Sequence, residues 1–287
     1  MATHQTPSTR NSLDYNPETS PEASPVQRSV VRYERVAFLS PVRRPWLMLL
    51  SITVLLALWE LASRVGWVRS FFLPPPSAIL SEGWGMLRSG ELWSHMSVSM
   101  LRLLAGFAIG ASLGVVLGLL LGFSTTLAAL FEPIIDAALP IPKISILPLL
   151  ILWMGIGEEP KLTILALGAF FPVFVNTIGG VRGTDAVLLK VAVSYGAGPL
   201  SLIRKVLLPS SLPAIFSGLR LGAGYALLLL VAAEMIAVDR GLGFMILHAG
   251  DLLQTRKLFV GIVTLSSLGL LSNGFFFWLE RRIVRYR

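Results

Sequence analysis

The sequence predicts an all-α membrane protein with six transmembrane helices, and three observations carry that prediction. Hydrophobic residues make up 54% of the chain and charged residues only 14%, against about 25% charged in a soluble domain. Several apolar runs approach or exceed the roughly 20 residues that cross a bilayer as a helix. The basic residues, which give a formal net charge of +8, flank those runs. That pattern belongs to membrane orientation, not to a nucleic-acid partner.

Residues 1–40 are rich in Ser, Thr, Pro and Asn and read as a disordered cytoplasmic tail. The first span lies within 41–70, as Trp46 to Ala62, preceded by Arg43 and Arg44 and carrying Trp near both ends, where such rings favour the interface. A connector holding Pro74–Pro76 and a surface helix through Leu92 follow. Residues 71–287 then form a five-helix core. Its first member, Met96 to Phe123, carries Gly106, Gly110, Gly114, Gly118 and Gly122 at four-residue intervals, a stripe without side chains along which another helix can pack closely.

Pro140, Pro142 and Pro148 break the next span into pieces at 127–139 and 144–156. Such breaks border a pathway or are simple kinks. The fourth span is Leu162 to Gly180, the fifth Ser217 to Val238 and the sixth Leu258 to Leu279, closed by basic residues. Six spans place both termini on one side. With the termini inside, fifteen Lys and Arg fall on the cytoplasmic side and eight opposite, with Lys143 unassigned, so both termini are expected in the cytoplasm.

Catalytic chemistry is absent from this reading. There is no cysteine, and His4, His95 and His248 lack metal-ligand spacing. No phosphate-cradling loop is present, so no cofactor is expected in this chain. Glu158 and Glu159 read as a solvated turn, Glu132 and Asp136 as a solvated face, and Arg102 and Glu60 as residues reaching the interface from span ends. Two polar residues inside spans are the candidate pathway residues, Asn176 and Glu234. The other reading of Glu234 is a structural hydrogen bond, and of Asn176 a bond across helices. With no relay of acids through successive spans, an ion-coupled transporter is the alternative function and a non-transporting scaffold the third.

The loop 181–216 is the main amphipathic interruption between apolar segments. Asp185 to Tyr195 is helical, and Gly196 to Gly198 permits a left-handed turn. Pro199 suits a helix start, and Pro209 stops the helix. Leu200, Leu202, Ile203, Val206 and Leu207 cover one arc of this short helix, opposite Ser201, Arg204 and Lys205. Such a unit lies on a membrane surface or docks into a partner's groove.

A small-residue pair, three residues, a glycine, nine residues, an aliphatic, one residue and Leu-Pro: that order resembles the signature loop of binding-protein-dependent ABC transporter permeases. Ala192, Gly196, Val206, Leu208 and Pro209 hold its positions. Lys190 stands where the family usually has Glu, and Val191 where it has Ala. The resemblance continues through LPPPSAIL, LPIPKISILPLLILWMGIG, FFPVFVNTIGGVRG, VAAEM and GLGFMI, which is similar to the branch importing nitrate, sulfonates, taurine and related small anions. It implies the type I ABC importer permease fold in a bacterial inner membrane, usually as two identical copies. Implied partners are two ABC ATPase subunits, which bind ATP and Mg, and an extracytoplasmic solute-binding protein. It also implies that the loop forms a coupling helix seated on the ATPase, with Ala192, Gly196, Pro199, Ile203, Leu207, Leu208 and Pro209 at the contact.

Overall fold

The computed structural model describes residues 45–236 and 239–284; the expected tail at 1–40 lies outside the described residues. The chain divides into two units, Met1–Leu55 and Leu56–Arg287. Of the first, the described part is the start of α1 (Pro45–Val65). Among its described residues the second has helices joined by turns and loops and no strand, with α2 (Pro76–Arg88), α3 (Glu91–Phe123), α4 (Thr125–Ala138), α5 (Leu147–Met154), α6 (Glu159–Arg182), α7 (Ala186–Ser194), α8 (Pro199–Leu202), α9 (Leu208–Ile236), α10 (Leu242–Asp251) and α11 (Thr255–Ile283).

Among the described residues four helical runs are long and apolar enough to cross a membrane: α3, α6, Pro199–Ile236 and α11. A fifth is counted if α4 and the segment Lys143–Met154, bent by 89°, form one broken span. Glycine governs how these runs meet. A methyl group built on Gly106 would come within 2.5 Å of Leu165 Cβ, and one on Gly118 within 2.6 Å of Thr177 Cβ. On Gly110 it would overlap the Ala166 carbonyl. Helix α6 therefore lies directly on the α3 backbone. Its other side meets Gly218 and Gly222 of α9, at Val173 and Ala169. Ile164, Leu165, Ala169 and Val173 are fully buried between them.

The break after α4 is closed by a side chain. Pro140 and Pro142 interrupt the helical ladder, and Lys143 Nζ donates to the carbonyls of Ala138 (2.7 Å), Leu139 (2.9 Å) and Ile141 (2.8 Å). It thus satisfies acceptors that a helix end leaves free. At the start of α2, Glu60 is hydrogen-bonded within the fold. It accepts from the Ser77 backbone N–H at 3.0 Å and from the Ser77 hydroxyl at 2.7 Å, the position where helix N-termini favour a carboxylate.

Pro209 does not stop the helix. Residues Ile203–Leu207 form a π-helical turn in which the Leu208 N–H reaches the Ile203 carbonyl. The chain continues as α9, with Pro209 in its first turn, where a missing N–H breaks no bond. The fifth span accordingly starts earlier than Ser217.

Gly110→Ala should lower the thermal midpoint of the purified protein by the equivalent of about 1–3 kcal/mol, the usual cost of overpacking. Gly224→Ala, where a methyl meets nothing within 4 Å, should leave it unchanged. Equal midpoints for the two variants would contradict the close contact.

Candidate functional site

Three places in the second unit bear on function. The first is the loop after α6. Asp185 caps α7 by accepting from Val187 N–H at 2.8 Å. Gly196 then closes it at φ 77, with its N–H on the Val193 carbonyl (2.9 Å) and the Ala197 N–H on the Ala192 carbonyl (3.0 Å). This helix-ending motif requires a left-handed residue. Gly198, at φ −71, does not need to be glycine. Pro199 is the first residue of α8. Ala192, Ile203 and Leu208 are half-buried, Gly196 and Pro209 exposed, and Leu207 is buried. The expected apolar arc is therefore turned partly into the protein. Leu200 from that arc is 78% exposed, with Val187, Leu188, Val191, Val193 and Tyr195 exposed beside it. At the base of the loop Arg182 pairs with Glu132 of α4, and the Thr184 and Ser210 hydroxyls lie 2.7 Å apart. Glu132 is thus a partner across helices, while Asp136 is exposed.

The second place is an ionic cluster at the opposite end of α6, buried at Arg102 and Glu234 and exposed at Glu158. Arg102 of α3 donates through Nε and Nη2 to both carboxylate oxygens of Glu158, at 2.6 Å each. Its Nη1 reaches Glu234 at 2.9 Å and the Arg240 carbonyl at 2.7 Å. Glu234 is only 1% exposed; it also accepts from the Ser99 hydroxyl at 2.8 Å and the Gly243 N–H at 2.9 Å. Ser99 Oγ in turn accepts from the Leu242 N–H at 2.7 Å, and His95 Nδ1 from the Gly241 N–H at 3.2 Å. Arg102 and Glu158 are therefore neither a residue reaching the interface nor a merely solvated turn. Arg102 is buried because it occupies the next four-residue step before Gly106, so the glycine stripe itself was the signal for it. The bidentate Arg102 pair, with Lys161 at 3.2 Å, holds the Glu158 carboxyl at about 2, below its ordinary 4.5.

The third is an open cavity of about 580 Å³ between the α4–α5 break, α6 and α9. Lys143 is the one charged residue among those lining it, joined by Asn176 and Tyr225. Lys143 Nζ stands 4.2 Å over the Phe171 ring, and Asn176 Nδ2 donates to the Pro172 carbonyl of its own helix at 2.8 Å. Asn176 thus faces the cavity, while Glu234 does not line it; the two candidate pathway residues are not brought together. Among the described residues no group of three or more His, Asp or Glu is placed to hold a metal ion.

Residues 112–285 match the family model described as binding-protein-dependent transport system inner membrane component. The chain belongs to this family. As an inner membrane component it is 39% identical over 239 residues to the putative aliphatic sulfonates transport permease protein SsuC of Bacillus subtilis (strain 168), covering 83% of this chain and 87% of the relative. The taurine transport system permease protein TauC of Escherichia coli (strain K12) is 33% identical over 81% of this chain and 86% of its own. Among solved structures, the inward-facing MetNI methionine ABC transporter superposes with a TM-score of 0.53 at 21% identity, over 68% of this chain and 94% of that chain. The chain therefore shares the fold of the matched chain of that ABC transporter.

Removing one partner of the buried pair leaves an uncompensated charge, so Glu234→Ala should destabilise the permease by about 3–5 kcal/mol, read as a lowered denaturation midpoint; an unchanged midpoint would contradict the pairing. The Glu158 pair has its own pH signature. Its carboxyl is lowered on folding, so its stabilisation is complete above about pH 4.5 and is lost as pH falls toward 2. Glu158→Gln should flatten the wild-type decline in thermal midpoint across that window.

Proposed function

We propose that this chain is the membrane permease subunit of an ATP-driven importer for a small organic anion, a sulfonate or taurine. The carrying observation is the 38–39% identity to two permeases named for aliphatic sulfonates, each over more than four-fifths of this chain. In this reading α1 is the first of six spans and both termini are cytoplasmic. Two copies pair with two ATPase subunits, which bind ATP and Mg, and an extracytoplasmic binding protein delivers the cargo.

Several features support the rest of the reading. A segment bearing exposed Leu200 and Tyr195 on a rigid Gly196 turn suits docking into an ATPase groove. Of the seven expected contact positions, exposed Gly196, Pro199 and Pro209 and half-buried Ala192, Ile203 and Leu208 can carry that role, whereas Leu207 is buried and anchors the segment from within. The cavity beside Asn176 is of the size that small-molecule sites occupy, and Lys143, whose three N–H donors are taken by backbone carbonyls, can lend it a positive field but no direct hydrogen bond. Glu234, an acid inside a span, is engaged by Arg102, Ser99 and Gly243, the arrangement of a structural contact rather than of a pathway group.

The test is the complex reconstituted with its ATPase and binding protein. Alkanesulfonate presented with the binding protein should stimulate ATP hydrolysis. Gly196→Asp forces a side chain into the left-handed region, and Ile203→Glu charges the loop. Each should reduce coupled hydrolysis at least tenfold while the permease still inserts in the membrane. Full coupled activity in both variants would contradict the coupling role.

A further inference from the structure

Among the described residues six positions adopt the left-handed backbone region. Five are glycine, namely Gly66, Gly90, Gly155, Gly196 and Gly241, and the sixth is Leu253 at φ 57. Leu253 ends α10 by the same motif with which Gly196 ends α7: its N–H reaches the Gly250 carbonyl at 3.0 Å and the Gln254 N–H reaches the Ala249 carbonyl at 2.8 Å. Those bonds come from backbone, and the motif favours glycine because a Cβ is strained there. Packing does not compensate. Leu253 is 65% exposed, adjacent Leu252 is 53% exposed, and neither belongs to a core cluster. A strained residue with an unburied apolar side chain points to a use outside the fold.

Its surroundings indicate what it meets. Leu258 to Leu279 of α11 spans about 33 Å at 1.5 Å per residue, enough to fill a hydrocarbon layer of about 30 Å. Leu253 lies beyond that stretch, past Thr255, Arg256 and Lys257, and shares a cleft of about 280 Å³ with Glu82, Gln254, Arg256 and Lys257. An apolar knob ringed by charges of both signs has the composition of a protein–protein contact with a polar rim. Sinking it into lipid would carry those charges along. The loop is also at the opposite end of α11 from Arg281 and Arg282, hence extracytoplasmic in the proposed orientation.

We infer that Leu253, with Leu252, is an apolar contact on which the water-soluble binding protein seats. The inference rests on the proposed function, and one experiment separates the two. In the reconstituted complex, ATP hydrolysis is measured against increasing binding protein loaded with alkanesulfonate. Leu253→Gly relieves the backbone strain, so its thermal midpoint should equal or exceed that of the wild type. Half-maximal stimulation should nevertheless need about tenfold more binding protein, with unstimulated hydrolysis unchanged; Leu253→Met should behave as wild type. Unchanged half-maximal concentration in Leu253→Gly would overturn this inference alone, and a lowered midpoint would overturn it by making the side chain structural. An effect present in lipid nanodiscs but absent in detergent would assign the side chain to the bilayer and overturn it as well. A wild-type complex that no binding protein stimulates would overturn the proposed function, and this inference with it.

Discussion

Helix α6 touches the backbone of α3 on one side and of α9 on the other, and glycine makes both approaches possible. A membrane offers little hydrophobic drive for helices to associate, so cohesion comes from close packing and polar contacts. The α3 stripe supplies the first. Each glycine removes the Cβ that would hold α6 away, and Ile164, Leu165, Ala169 and Val173 fill the space with no exposure. The three helices therefore pack as one continuous block, to which the broken α4–α5 segment, the loop at α7 and the short helix α10 are attached.

The polar contacts sit at the two ends of that block. At one end Arg102, Glu234 and Ser99 join α3, α9 and the entry to α10, and Glu158 adds the start of α6. Desolvating such charges is expensive, and a buried pair is tolerated where every remaining donor and acceptor is engaged. At the other end Arg182 meets Glu132, and Thr184 meets Ser210 beside the exposed loop. In the proposed function this arrangement suits a lever: force applied at the loop enters a helix whose far end is locked into the opposite face. The break at Pro140 and Pro142, closed by Lys143 and open to a cavity, is where such a block has a side to move against.

Much of this was legible in the sequence because it depends on local chemistry. The four-residue glycine spacing allowed a closely packed helix, Gly196 announced a left-handed turn, and the prolines after α4 announced a break. The ionic cluster was not legible in the same way. Glu234 looked unusual by itself, but its partner Arg102 lies 132 residues away, and residue type near a span end does not reveal which way a side chain turns. Extending the glycine stripe back one step to Arg102 would have placed that residue on the packed face. Pro209 was misread for a different reason: proline ends a helix because it lacks an N–H and its ring crowds the preceding turn, but here a π-helical turn precedes it and Pro209 falls in the first turn of α9. Leu253 carries no sequence signal, since its strain lies in the backbone angle alone.

Uptake into sealed vesicles tests the account most directly. Vesicles would hold this chain with its ATPase, ATP inside, and binding protein with labelled alkanesulfonate outside. The account predicts accumulation that needs all three proteins and ATP, and that is lost when the permease carries Gly196→Asp. Accumulation driven by a proton gradient with this chain alone would contradict it.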